Sequence, residues 1–147
     1  MLAWHYTVGV NATAILRDGF LRGAIAAVPT GERPIVWFSM RQIWEPSATK
    51  EKMVAGEQSQ MTMAEMIEEG HGLWRFGVPR TNLLAWKLLQ RKAAMSHEWA
   101  LALMRVAEKA GSNPRYWYGA VEPVAVNQCE VQYILARGDG WARLPVV

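Results

Sequence analysis

Three residues whose types can serve a polar ligand stand in strand-like, apolar surroundings far apart in this chain. His5 sits in "LAWHYTVG". Ser39 closes "IVWFS" after the aromatic pair Trp37 and Phe38. Glu122 interrupts "RYWYGAVEPVAVNQCEVQYIL". Pro123 biases Glu122 toward extended backbone and removes a ladder donor, which places the carboxylate at a sheet edge or bulge, free to face a ligand. Each residue also has a plainer reading: His5 as a satisfied core histidine, Trp37 as core filler, Glu122 as a solvated edge charge that blocks strand pairing. Glu130, eight residues on, competes with Glu122 for the role of acid. Other chemistries lack their motifs: there is no Gly-rich phosphate loop, no His/Cys set at metal-ligand spacing and no Gly-x-Ser-x-Gly elbow. His71 and His97 have no companion at ligand spacing and read as surface groups.

The elements that must position these residues follow from pattern. "LAWHYTVG" reads as a first strand, followed by a short helix N-capped by Asn11 and stopped at Gly19. "IVWFS" reads as a short strand buried on both faces. The polar stretch from Met40 to Gln60 is long for a connection and reads as a functional loop or partly helical. Thr62 and Glu65 form a capping box for a helix ending near Gly70. "HGLWRFGVP" reads as a strand. Helices follow over Asn82–Lys92 and Ser96–Ala110, the second with Trp99, Leu103, Val106 and Ala110 on one face. The last third reads as the strands "RYWYGAVE", "PVAVNQCEVQYILA" and "WARLPVV", the last two joined by "RGDG" as an antiparallel hairpin. Strands and helices do not alternate regularly, so an α+β fold with mainly antiparallel sheet and flanking helices is expected, in one domain over 1–147.

Composition narrows the class. The chain of 147 residues is 51% hydrophobic and 20% charged, which is globular. Its eight tryptophans and eight methionines exceed what such a core needs, so part of that surface can line a pocket. Net charge is +3, pI is near 9.2, and eleven arginines outnumber five lysines. The arginines are scattered, which does not match a dedicated nucleic-acid binder but suits a phosphate-bearing ligand or partner. The lone Cys129 excludes an internal disulfide and reads as an inert buried thiol. No segment reads as a membrane span or signal peptide, so a cytoplasmic protein without membrane partner is expected.

Taken in order along the chain, these motifs resemble the ADP-ribosyltransferase superfamily. Its members carry a histidine on the first strand, an aromatic residue (usually Tyr) before a small or hydroxyl residue on the second, and often a glutamate on a late strand. The first motif, His-Gly-Ser/Thr in the poly(ADP-ribose) polymerase and diphtheria-toxin branch, is His5-Tyr6-Thr7 here. The helix and Gly-plus-apolar pair that follow match "AILRDGFLRGA". The second motif is Val36-Trp37-Phe38-Ser39, and the third is Glu122 opening "PVAVNQCEVQYIL". Tyr6 stands where that branch has glycine, as larger residues do in other branches such as DNA-modifying toxins; Trp37 stands for the usual tyrosine. The arginine motif of the RNA 2′-phosphotransferase branch is missing near His5, which leaves that assignment as a weaker alternative.

The resemblance implies a split-sheet fold, NAD as substrate and no metal. It implies that His5 bonds the adenosine ribose, that the Tyr6 backbone holds the nicotinamide carboxamide, and that Trp37 stacks on the nicotinamide ring. Thr7 and Ser39 would add hydrogen bonds and Arg75 a phosphate contact. Glu122 would bond the nicotinamide ribose and face the oxocarbenium-like cation formed as nicotinamide leaves, or activate the nucleophile. The acceptor implied is DNA, RNA or protein. A non-catalytic module that keeps the NAD-shaped cleft is the alternative from another class.

Overall fold

A computed structural model describes residues 1–26 and 28–145 of the chain. It contains strands β1 (Leu2–Val8), β2 (Phe20–Leu21), β3 (Val36–Ser39), β4 (Glu51–Val54), β5 (Glu57–Gln60), β6 (Leu73–Pro79), β7 (Leu84–Ala85), β8 (Trp117–Ala120), β9 (Val124–Ala125), β10 (Glu130–Ile134) and β11 (Ala142–Arg143). Its α-helices are α1 (Gly9–Asp18), α2 (Met63–Glu69), α3 (Trp86–Lys92) and α4 (His97–Lys109). Seven strands form one sheet in the order β11-β10-β6-β1-β3-β8-β7, in which every pairing is antiparallel. β2 pairs with β9 and β4 with β5, also antiparallel. The α+β expectation holds at this level: an antiparallel sheet flanked by helices.

Alternation along the strands sends side chains to two faces. Ala3, Phe38, Phe76, Val78 and Val131 meet Ala12 of α1 and Leu21 of β2 on one face. On the other, Trp37 and Trp117 pack against Trp86, Leu89, Ala100 and Ala107 from α3 and α4. A smaller cluster of Val8, Leu73 and Ile134 packs on Met66 of α2.

Several local signals act as read. Gly19 caps α1 in the left-handed region (φ 83°), its N–H bonded to the Ile15 carbonyl. Thr62 and Glu65 form the reciprocal capping box of α2, and the Ser96 side chain caps α4 through Trp99 N–H. β10 and β11 are the expected antiparallel hairpin, although residues 146–147 of the predicted strand "WARLPVV" lie outside the described residues.

Others differ for identifiable reasons. Asn11 is not the N-cap of α1: the helix starts at Gly9, whose N–H is bonded to the Gly72 carbonyl, and Asn11 Nδ2 instead donates to Thr7 Oγ1. The stretch 40–60, expected as a functional loop or partly helical, holds a 3-10 turn (Pro46–Ala48) and, unforeseen, the β4–β5 hairpin, turned through Ala55 (φ 52°) and Gly56 (φ 83°). Residues 82–85 are turn and strand before α3, which begins only at Trp86. "PVAVNQCEVQYILA" is broken into β9, a 3-10 turn and β10, because β9 leaves the main sheet to pair with β2. Of the predicted α4 face only Leu103 packs inward as expected; Ala100 and Ala107 are the buried positions, and Val106 is exposed.

One close approach ties this framework to the region described next. A Cβ at Gly77 of β6 would lie 2.6 Å from the Trp4 ring. That ring is held by its bond from Nε1 to Gln42 Oε1 (2.9 Å) and by the Arg75 guanidinium 3.9 Å from its centre. Gly77→Ala is expected to cost about 1–3 kcal/mol, as overpacking of a fixed ring does. Urea unfolding of the two proteins side by side measures it.

Candidate functional site

β1 and β3 are neighbours in the sheet, yet their ladder is a single bridge, Trp4↔Ser39. β1 pairs with β6 along its whole length, and β3 with β8 at all four residues. The sheet therefore opens between β1 and β3. A cavity of about 610 Å³ occupies the opening, within the size range of small-molecule sites. Its walls are β1, β3, the segment after β3 and the Trp99–Leu103–Val106 side of α4.

His5 and Trp37 both line this cavity. Continuing the register from Trp4↔Ser39 would set Tyr6 opposite Trp37, so the Trp37 carbonyl is the group an unbroken ladder would pair with β1. It is bonded instead to His5 Nδ1 at 2.7 Å. A carbonyl only accepts, so Nδ1 carries the hydrogen and Nε2 is left as an acceptor. Burial, the largest influence, lowers the His5 pKa; the Trp37 bond opposes this and the nearby Lys50 charge adds to it. His5 is thus held as the neutral Nδ1–H tautomer. The two side chains leave the sheet on opposite faces: His5 sits edge-on to Phe38 (5.9 Å between ring centres), and Trp37 leans on Trp86 and Trp117 (5.8 and 5.7 Å). The opening of the sheet lets one cavity touch both.

A carboxylate that the motif reading did not single out also lines the cavity. Glu45 is buried, and its oxygens accept from Ser39 Oγ (2.7 Å), Ser47 Oγ (2.7 Å) and Ser112 Oγ. These bonds join the end of β3, the 3-10 turn and the segment after α4 around one charge. The signal in the sequence is "EPS", an acid before Pro and Ser, which is the start of a capped turn; Glu45 caps it through Ser47 N–H.

The remaining candidates are placed as follows. Tyr6 and Thr7 line the cavity, with the Tyr6 hydroxyl bonded to the Arg41 carbonyl and its ring on Trp44, and Thr7 Oγ1 accepting from Asn11. Ser39 lines it with its hydroxyl committed to Glu45. Arg75 is buried elsewhere: it lies between the Trp4 and Trp141 rings (3.9 and 4.3 Å) and donates to Gln132 Oε1, the Gln42 carbonyl and the Tyr6 hydroxyl. Glu122 lies just beyond β8, its side chain 76% exposed, beside a smaller cleft of about 190 Å³. It reaches the main cavity only through Arg33, which it binds and which lines that cavity. Glu130 is outside the cavity, paired with Arg143 at 2.6 Å. Burial pushes the Cys129 thiol up to about 11, so it is protonated at neutral pH. Among the described residues no group of three or more His, Cys, Asp or Glu side chains is arranged to hold a metal, and no helix is long and apolar enough to cross a membrane.

Two predictions follow from this geometry. A lowered folded-state pKa means that the unfolded chain takes up the His5 proton first as pH falls. The His5 contribution to stability is therefore fully present above its ordinary value near 6.5 and is lost as pH drops below it, levelling off under the folded-state value. Denaturant midpoints from pH 8 to 5 should fall more for the native protein than for His5→Gln. Glu45→Ala leaves several buried hydroxyl donors without an acceptor and is expected to cost about 3 kcal/mol or more, with Glu45→Gln costing less; calorimetric unfolding checks the order. Comparisons with protein-family models, curated proteins and solved structures found no match to this chain.

Proposed function

We propose that the cavity binds NAD and that the protein transfers ADP-ribose from it to a nucleic-acid or protein acceptor. The observation that carries this reading is the meeting of "WHYT" and "VWFS" at one cavity, through the bond from His5 Nδ1 to the Trp37 carbonyl. The β1–β3 ladder, reduced to a single bridge, leaves room for a ligand between the histidine strand and the aromatic strand. In this reading the His5 Nε2 lone pair accepts from a ribose hydroxyl. The Tyr6 backbone, opposite Trp37 across the opening, holds the carboxamide. Trp37 offers its ring for stacking, worth about 1–3 kcal/mol for a flat heterocycle.

The position of Glu122 favours a second reading, recognition of the dinucleotide without turnover. Its carboxylate is exposed and paired with Arg33 rather than set in the cavity wall. Titration calorimetry and a nicotinamide-release assay on the same preparation separate the readings. NAD binding is expected, weakened about tenfold or more by Trp37→Ala. Release abolished by Glu122→Gln assigns that carboxylate to the transfer step; binding with no release leaves the module. No binding of NAD or ADP-ribose overturns both.

A further inference from the structure

The transfer step proposed above needs a carboxylate near the cation that forms as nicotinamide leaves, and Glu122 is badly placed for it. Its side chain is mostly exposed, paired with Arg33 and outside the main cavity. Two carboxylates do line that cavity, Glu32 and Glu45. Glu32 stands half-buried in the turn before β3, and no ion pair among the described residues holds it. Glu45 is buried beyond the other end of β3 and held by the hydroxyls of Ser39, Ser47 and Ser112. A charge lowers a barrier most when it is fixed before the reaction begins, which favours Glu45.

Two sets of contacts place Glu45 beside the ring that the dinucleotide reading uses. Ser39, whose hydroxyl donates to Glu45 Oε2 at 2.7 Å, is two residues from Trp37 on β3. Residues two apart share one face of a strand and lie about 7 Å from each other. From the other direction, the Trp117 ring packs on Trp37 at 5.7 Å, and its Nε1 donates to Ser112 Oγ. Ser112 Oγ donates in turn to Glu45 Oε1. The carboxylate therefore stands next to the Trp37 ring, on that ring's side of the sheet. Oε1 accepts from two hydroxyls, whereas Oε2 accepts from Ser39 alone, with Arg41 Nε 3.7 Å away. A carboxylate oxygen has two acceptor sites, so Oε2 keeps one.

We propose, resting on the dinucleotide reading, that Glu45 rather than Glu122 is the carboxylate that stabilises the ribosyl cation during transfer. The bond from C1′ to the nicotinamide nitrogen breaks, and its electron pair leaves with nicotinamide, whose nitrogen loses its positive charge. The cation shared by C1′ and the ribose ring oxygen faces Glu45 Oε2. The acceptor's nucleophilic atom, or water in its absence, bonds to C1′ and gives its proton to solvent. Glu45 acts by charge and is unchanged at the end.

Nicotinamide release from NAD tests this in the native protein and in Glu45→Gln, Glu32→Gln and Glu122→Gln, with calorimetric NAD affinity taken for each. Expected is a release rate about 100-fold or more lower in Glu45→Gln alone, with NAD affinity within about threefold of native. A purely structural role would move affinity or folding instead, so circular dichroism is recorded and the assay runs below the variant's melting temperature. Should Glu45→Gln melt too low for this, Arg41→Gln carries the test. It removes the cation set against Glu45 and leaves the hydroxyl bonds in place, so release is expected to rise about twofold or more. An unchanged or lower rate there overturns the proposal. Release that persists in Glu45→Gln, or that is lost in Glu32→Gln or Glu122→Gln, overturns it while the dinucleotide reading stands. NAD bound by the native protein without release overturns it and leaves the non-catalytic module. Absence of NAD binding removes the dinucleotide reading and this proposal with it.

Discussion

Backbone polar groups of a strand that loses its neighbour must be satisfied in some other way, because leaving them buried and unpaired costs as much as a lost hydrogen bond. Between β1 and β3 the neighbour is lost after a single bridge. The chain answers with a side chain: the His5 imidazole takes the carbonyl of Trp37 that a β1 amide would have taken. This keeps the opening from closing by one more rung, fixes the imidazole tautomer and leaves the Tyr6 backbone beside a space rather than a strand. The cavity is therefore a consequence of where the ladder stops.

Holding such an opening requires its far wall to be rigid, and Glu45 supplies this. One buried charge accepting three hydroxyls from Ser39, Ser47 and Ser112 constrains three segments that are distant in sequence. This carboxylate is satisfied by hydrogen bonds instead of by a close ion pair, Arg41 Nε being 3.7 Å away. Trp117 Nε1 extends the network by donating to Ser112 Oγ at 3.2 Å, which ties it to the aromatic cluster beneath α3 and α4. Behind the opposite wall, Arg75 locks Trp4, Tyr6 and Trp141 together. Polar groups thus brace both sides of a space whose lining is otherwise largely apolar.

The features legible in the sequence were local ones. Gly19, the Thr62–Glu65 box, the Ser96 cap and the "RGDG" hairpin each depend on a few adjacent residues, and each acts as its chemistry dictates. The strand character of "WHYT" and "VWFS" was equally plain. What could not be read locally was partnership. Asn11 looks like a cap until Thr7 is known to accept its amide, and Glu45 looks like loop polarity until Ser112, sixty-seven positions away, is brought to it. In the sequence Glu122 opens one long strand-like stretch. Tertiary pairing of β9 with β2 breaks that strand and turns the carboxylate toward Arg33. Arg75 looked free to meet a phosphate because no sequence pattern reveals that Trp4 and Trp141 enclose it.

The Arg33–Glu122 pair also bears on what the cavity can hold. Inside, the lining is rings and aliphatic groups such as Trp37, Phe38, Ile35 and Leu103. Arg22 and Arg33, both about half exposed, stand where that lining meets solvent. Arg22 is held by Asp18 and Arg33 by Glu122, so each is oriented by a carboxylate that itself stays largely in water. Exposed pairs of this kind add little stability. Their effect is geometric: each fixes a guanidinium group at the mouth beside the carboxylate that balances its charge. Glu122 thus holds Arg33 at the mouth of the cavity, and its removal would free that guanidinium.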